Sequence, residues 1–242
     1  MEPRVGFPWT VRTIGFIQLA CSLVALPLLM TGPAPKPSAP RKIIHWYALR
    51  EFTFSAYGFA NFLIFMAYFV PLFYVPYLAA RNPGVSTELG FYLLSVLNAA
   101  SAFGRIGASF ICRTLGAPNV LLFSVVASTV LLFGWIGVHS LAGSVIFSIL
   151  FGLVSGLLIS VNPLLIAHPV VSPTLSVVGT RMGMQWFATS LGVLVGAPIA
   201  GALVSSGQDT GPLYLQAFSG AVMAVGALFL LVPIFAIWRH NR

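Results

Sequence analysis

The chain has 242 residues, 58% of them apolar and only 7% charged, with a mean hydropathy of +0.97. A water-soluble globule carries roughly 25% charged residues, so this chain has too little polar surface for water and reads as an all-α membrane protein. The net charge of +8 does not mark a nucleic-acid partner, because Lys and Arg stand in ones and twos at the ends of apolar runs instead of forming a clustered face.

A β-barrel is excluded as well, because the apolar runs are continuous and do not alternate with period two. The 23 Gly and 17 Pro suit polytopic helices, where both residues are commoner than in soluble ones. Cys21 and Cys112 lie in or beside apolar segments, so no disulfide framework is implied.

With spans of ~20 residues as the ruler, the chain divides into about seven transmembrane helices, near 8–30, 52–79, 89–112, 118–138, 141–167, 179–204 and 212–238. Residues 1–31 form a leading transmembrane helix. Arg12 lies within its span and no small-x-small cleavage site follows, so a retained helix is expected and not a signal peptide. Residues 32–51 form a basic linker, Pro-rich in "TGPAPKPSAPRK" (31–42). Six spans then follow over 52–238 with short breaks such as "RNPGVSTE", "LGAPN", "HPVVSP" and "SSGQDTGP", which carry turn residues. Residues 239–242 are left as a tail.

Orientation follows from the basic residues. With the linker placed inside, alternation puts Lys36, Arg41, Lys42, Arg50, Arg105, Arg113, Arg181, Arg239 and Arg242 on the cytoplasmic side. Only Arg4, Arg12 and Arg81 fall outside. The N-terminus is therefore expected outside and the C-terminus inside.

Small residues at Gly152-x-x-x-Gly156, Gly179-x-x-x-Gly183 and Gly192-x-x-x-Gly196 let helix backbones approach closely. Pro71 and Pro76 suggest a kinked second span, with Tyr68, Phe73, Tyr74 and Tyr77 as an outer aromatic belt. Trp9, Trp46 and Trp238 sit at span ends as interfacial anchors. With four acids in the chain, all at span edges, acid–base catalysis has little to work with, and no metal spacing or phosphate loop is present. No enzyme and no cofactor is expected.

Few polar residues stand inside the spans: Asn61, Asn98, Ser101, Arg105, Asn162 and Gln185. Such groups face a bundle interior or a wet cavity. Asn98, Ser101 and Arg105 fall at i, i+3 and i+7, on one helical stripe. Arg105 can anchor an anion there, since its fork matches a carboxylate. It can equally snorkel, being about 10 Å from residue 112. Asn61, Asn162 and Gln185 suit hydrogen bonds between helices as well as a ligand.

The stretches "FYLLSVLNAASAFGRIGASFICRTLGAPNVL" (91–121), "GLVSGLLISVNP" (152–163) and "VGTRMGMQWFATSLGVLVGAPIAGAL" (178–203) resemble the major facilitator superfamily (MFS), in particular its fungal monocarboxylate-transporter-like branch. "FPWTVRTIGFIQLACSL" (7–23) is similar to that family's sixth helix and the Pro-rich stretch to its central loop. The resemblance thus implies one leading helix and a six-helix C-terminal MFS bundle. It also implies alternating access, a small organic anion as substrate and a proton as coupling ion. Arg105 matches the family's substrate-engaging arginine of the eighth helix, with Asn98, Ser101, Asn162 and Gln185 as further candidates. Better-studied carriers hold an aspartate four residues before that arginine, where Ser101 stands here. Cys112-Arg113 replaces an Asp-Arg pair that helps latch the inner gate, leaving Arg113 as the candidate gate residue.

Two readings stay open: part of an organic-anion carrier whose other half is missing, or a transport-inactive half-carrier that binds a partner transporter. The resemblance implies a plasma-membrane location, with vacuolar or vesicular membranes equally compatible with the topology.

Overall fold

A computed structural model describes residues 2–30, 44–81, 86–206 and 210–241. Residues 31–43, with Lys36, Arg41 and Lys42, lie outside the described residues, as do Asp209 and Arg242. No strand occurs among the described residues. They fall into two compact units, Met1–Pro40 and Arg41–Arg242.

In the first unit a single helix, α1 (Glu2–Met30), bends at Gly6, whose φ of 77° only glycine adopts at low cost. From Gly6 to Leu28 it is long and apolar enough to cross a membrane, and the Arg12 guanidinium lies 5.2 Å from the Trp9 ring centre.

The second unit is a bundle of six helices: α2 (Phe52–Ala79), α3 (Thr87–Leu115), α4 (Ala117–Gly134), α5 (Leu141–Ile166), α6 (Leu175–Ser205) and α7 (Gly211–His240). Each has a segment long and apolar enough to span a bilayer, α4 by adding the 3-10 turn Trp135–Gly137. With α1 that makes the seven candidate spans expected. Local chemistry sets the boundaries. The Ser86 and Ser140 hydroxyls accept from Leu89 N at 3.2 Å and Gly143 N at 3.1 Å, capping α3 and α5. Gly116, at φ 78°, turns the chain between α3 and α4, and Pro118 follows in the first turn. Inside the stretch read as linker, Trp46–Arg50 form a 3-10 helix just before α2.

The helices α2 and α5 carry the most buried surface. α2 packs on α6 and α7, α3 on α5, and α4 on both α5 and α7. An aromatic chain runs through the core: Trp135 stacks on Phe147 at 5.1 Å, Phe147 on Phe151 at 5.5 Å, and Phe151 meets Tyr68 at 6.2 Å. Tyr68 is therefore not part of an outer belt. It is 3% exposed, because it lies on the face of α2 that packs into the core against Phe65 and Phe151. Phe73 and Tyr77, farther along, stay exposed.

The N-terminal ends of α2, α4 and α6 share one end of the bundle with the C-terminal ends of α3, α5 and α7. Contacts across that end confirm the alternation. Trp238 Nε1 donates to Asn119 Oδ1 at 3.0 Å, and the His168 and His240 rings meet edge to face at 6.3 Å. Arg50, Arg113, Arg181 and Arg239 lie there too, so it is called the basic end below.

Candidate functional site

Helix α3 is the most one-sided of the six. Leu93, Leu97, Ala100, Ser101, Gly104 and Ala108 are buried, and the packing against α5 is backbone on backbone. A Cβ on Gly104 would fall 2.1 Å from Leu153 O, one on Gly152 2.4 Å from Leu97 O, and one on Gly156 2.3 Å from Ser101 O. So close an approach fixes how α3 is rotated. It turns Asn98, Ala102, Arg105, Ser109 and Arg113 outward as one exposed stripe at i, i+4, i+7, i+11 and i+15.

Arg105 makes no hydrogen bond or ion pair among the described residues. Because α3 continues to Leu115, Arg105 stands about 15 Å from that helix end. Asn98 bonds back to Leu94 O at 2.9 Å. Ser101, expected beside Asn98 and Arg105 on the stripe, is instead 3% exposed in the α3–α5 interface, and its hydroxyl has no partner among the described residues. It sits three residues before Gly104 and four after Leu97, the contact face itself.

Asn162 and Gln185 are committed to the bundle. Tyr57 Oη donates to Asn162 Oδ1 at 2.8 Å, Asn162 Nδ2 donates to Asn61 Oδ1, and Asn61 Nδ2 donates to Tyr57 O at 3.1 Å. This closed ring ties α2 to α5. Gln185 Nε2 donates to Phe54 O at 3.1 Å, joining α6 to α2, while its Oε1 has no partner among the described residues.

Glycine spacing divides the same way. A Cβ on Gly192 or Gly196 would meet Phe62 O at 2.2 Å or Met66 O at 2.6 Å on α2, whereas Gly183 has open space around it.

Sequence reasoning missed a second charged feature. Arg181 is 1% exposed, and its NH1 and NH2 each donate to one Glu51 carboxylate oxygen at 2.6 Å. NH1 also donates to Val171 O, NH2 lies 3.4 Å from His45 Nδ1, and the guanidinium sits 5.2 Å from the Phe54 ring centre. One arginine thus joins the start of α2, the segment before it, the α5–α6 connection and α6. Arg181 falls at the same end as the linker that closes on Glu51 in the topology count, and that was the available signal. Nearby, burial and the charge of His240 push the His168 imidazole below its usual value. Among the described residues no three His, Cys, Asp or Glu side chains group to hold a metal.

No family model matches the chain. It is 32% identical over 230 residues to the MFS-type transporter dbaD of Emericella nidulans, covering 95% of this chain and 51% of that one. It is 34% identical over 224 residues to the aspyridones efflux protein apdF of the same organism, covering 93% and 44%. Against the MFS transporter asaE of Aspergillus flavus it is 33% identical over 232 residues, covering 94% and 51%. The solved structure of the MFS transporter FucP in its outward conformation matches with a TM-score of 0.71 at 14% identity, covering 93% of this chain and 55% of that one. The relatives carry transporter names, not enzyme names. The chain thus spans about half the length of the transporters it matches, and its bundle has the fold seen in FucP.

Proposed function

We propose that this chain forms the C-terminal, arginine-bearing wall of an alternating-access carrier for small monocarboxylates or related organic anions. The observation that carries the reading is Arg105. It stands on an exposed polar stripe, about 15 Å inside its helix, with no hydrogen bond or ion pair among the described residues. A charge at such depth is expensive unless something answers it. A carboxylate matches its fork with two parallel hydrogen bonds. Asn98 lies two turns away on the same stripe. Helix α1 is the sixth helix of the carrier in this reading, the bundle is helices seven to twelve, and the basic end faces the cytoplasm. The plasma membrane is the proposed location.

Proton coupling does not run through Ser101, which has no charge to give. Any coupling proton is carried on the opposite wall or by the substrate. Efflux, the activity in the name of one relative, would use the same wall. In the half-carrier reading the stripe is covered by a partner transporter instead. The large exposed faces of α3 and α6 suit either cover.

The test is saturation-transfer NMR of a monocarboxylate panel, from acetate to benzoate, against the chain in nanodiscs. Arg105→Gln is expected to abolish transfer to at least one acid, while Arg113→Gln leaves it unchanged. Transfer that survives Arg105→Gln overturns the assignment.

A further inference from the structure

The connection between α5 and α6 hangs on one residue. Between Ile166 and Leu175 it reads Ala167-His168-Pro169-Val170-Val171-Ser172-Pro173-Thr174. Pro169 and Pro173 carry no N–H and end the helical pattern, so Val170, Val171 and Ser172 are the amides between them that need acceptors. All of them turn to His168. Val171 N and Ser172 N donate to its carbonyl oxygen at 2.9 and 2.8 Å, and Val170 N donates to its ring Nδ1 at 3.3 Å. An imidazole accepts only through an unprotonated nitrogen, so this turn holds His168 neutral.

The same turn places Arg181. Val171 and Ser172 are buried, and Val171 O accepts from Arg181 NH1, the nitrogen that also binds Glu51. Glu51 and His45 belong to the segment that leads into α2, so Arg181 passes the setting of the turn on to that segment. The charged and titratable groups around His168 come from three directions. From α7, His240 meets its ring edge to face at 6.3 Å, with Arg239 next in the chain. From α6 comes Arg181, and from the segment before α2 come Glu51 and His45, both bound to that arginine. Glu51 is the carboxylate of this set, and Arg181 takes both of its oxygens. A proton on His168 therefore finds no ion pair among the described residues.

We propose that His168 is a proton-operated catch at the basic end: protonated at Nδ1, it releases Val170 N, opens the 168–172 turn and slackens the hold of Arg181 on the segment 45–51. The added proton aims a donor at a donor, and the added charge faces His240. Neither cost falls on the neutral ring. Burial and the His240 charge lower the His168 value, which fixes the direction of the response. The closed turn keeps its full stability above the ordinary histidine value of about 6.5 and loses it as the pH falls below that. The segment that enters α2 thereby answers to acid on this side of the membrane.

The experiment is hydrogen exchange of the 242-residue chain in nanodiscs from about pH 7.5 to about 5.5, the range in which histidine titrates. Exchange is read by mass spectrometry and corrected for its own pH dependence. Protection in peptides covering 168–174 and 45–51 is expected to fall by up to about tenfold per pH unit, the most that the linkage of one proton gives. Peptides from the α3–α5 contact stay protected and serve as the control. His168→Asn puts an amide oxygen in the place of Nδ1, where it still accepts from the N–H two residues on. That variant should keep its protection at the upper pH and lose the response in both segments. His240→Gln removes the opposing charge and should move the response to higher pH. A response that persists in His168→Asn, that His45→Gln abolishes, or that stays in place in His240→Gln overturns the proposal. So does protection of 45–51 that ignores pH while 168–174 loosens.

Discussion

Arg181 lies in a place made for two charges, and its bonds show how unequal their burial is. The guanidinium is 1% exposed and Glu51 27%. Removing one member of a buried pair leaves the other uncompensated and typically costs 3–5 kcal/mol. Glu51→Gln leaves the buried Arg181 guanidinium without its counter-charge, so a cost near the lower end of that range, about 3 kcal/mol, is expected. Arg181→Lys should cost a similar amount, because an ammonium cannot grip both carboxylate oxygens at once. The double variant Glu51→Leu/Arg181→Leu should recover most of the loss. Thermal unfolding in nanodiscs reads all three, and additive losses in the double variant would show that the two residues do not act as a pair. The sequence showed both residues at one end of the bundle, but not that they meet across 130 positions. Pairing of that kind depends on how α6 is rotated against α2. Small residues set that rotation, and they are common all along this chain. The stripe of α3 was legible for the same reason in reverse: Asn98 and Arg105 share a face through helical period alone. Ser101 was misplaced because a three-residue step moves a side chain 60° off the face of its neighbour, enough to enter the α5 contact.

At the scale of the helix, spacing of glycines names a contact only where the partner backbone is present. Gly192 and Gly183 have the same signature in the sequence and opposite surroundings. A Cβ at Gly192 would stand 2.2 Å from Phe62 O, so Gly192→Ala forces α6 away from α2 and should cost about 1–3 kcal/mol. Gly183→Ala meets nothing and gains the helix preference of alanine, up to about 1 kcal/mol of stabilisation. Steric-trap or thermal unfolding of the two variants compares them directly. Equal effects would mean that α6 does not pack as found. The helix ends, by contrast, were readable from local chemistry. Ser86, Ser140, Gly116 and Pro118 each act within a few residues of their own position, so the breaks fall where the turn residues stand. The start of α6 was put four residues late, at 179 instead of Leu175, because Leu175 to Val178 follow a proline-bounded turn and were counted with it.

For the whole bundle, the question is what covers α3 and α6. Each is buried along one stripe only. The buried stripe of α6 is Arg181, Gln185, Thr189, Gly192, Gly196 and Ala200, and the rest of its circumference is open. Apolar residues such as Phe103, Phe110 and Leu194 rest in lipid without penalty. The stripe of Asn98, Arg105, Ser109 and Arg113 does not, since an arginine held in hydrocarbon costs about 2.5–3.5 kcal/mol. A fold that spends stability in this way does so where a second surface, water or a ligand repays it. The prediction is that Arg105→Leu stabilises the 242-residue chain alone in nanodiscs by about 2–3 kcal/mol. The same change should give no gain when the chain is co-assembled with the half of dbaD that this chain does not match. Thermal unfolding in the two settings measures the difference. If Arg105 merely snorkels, the substitution is neutral in both, and the stripe is not a cavity wall. If the gain appears only in the lone chain, the arginine is placed for an occupant of a space that the chain encloses with a partner bundle.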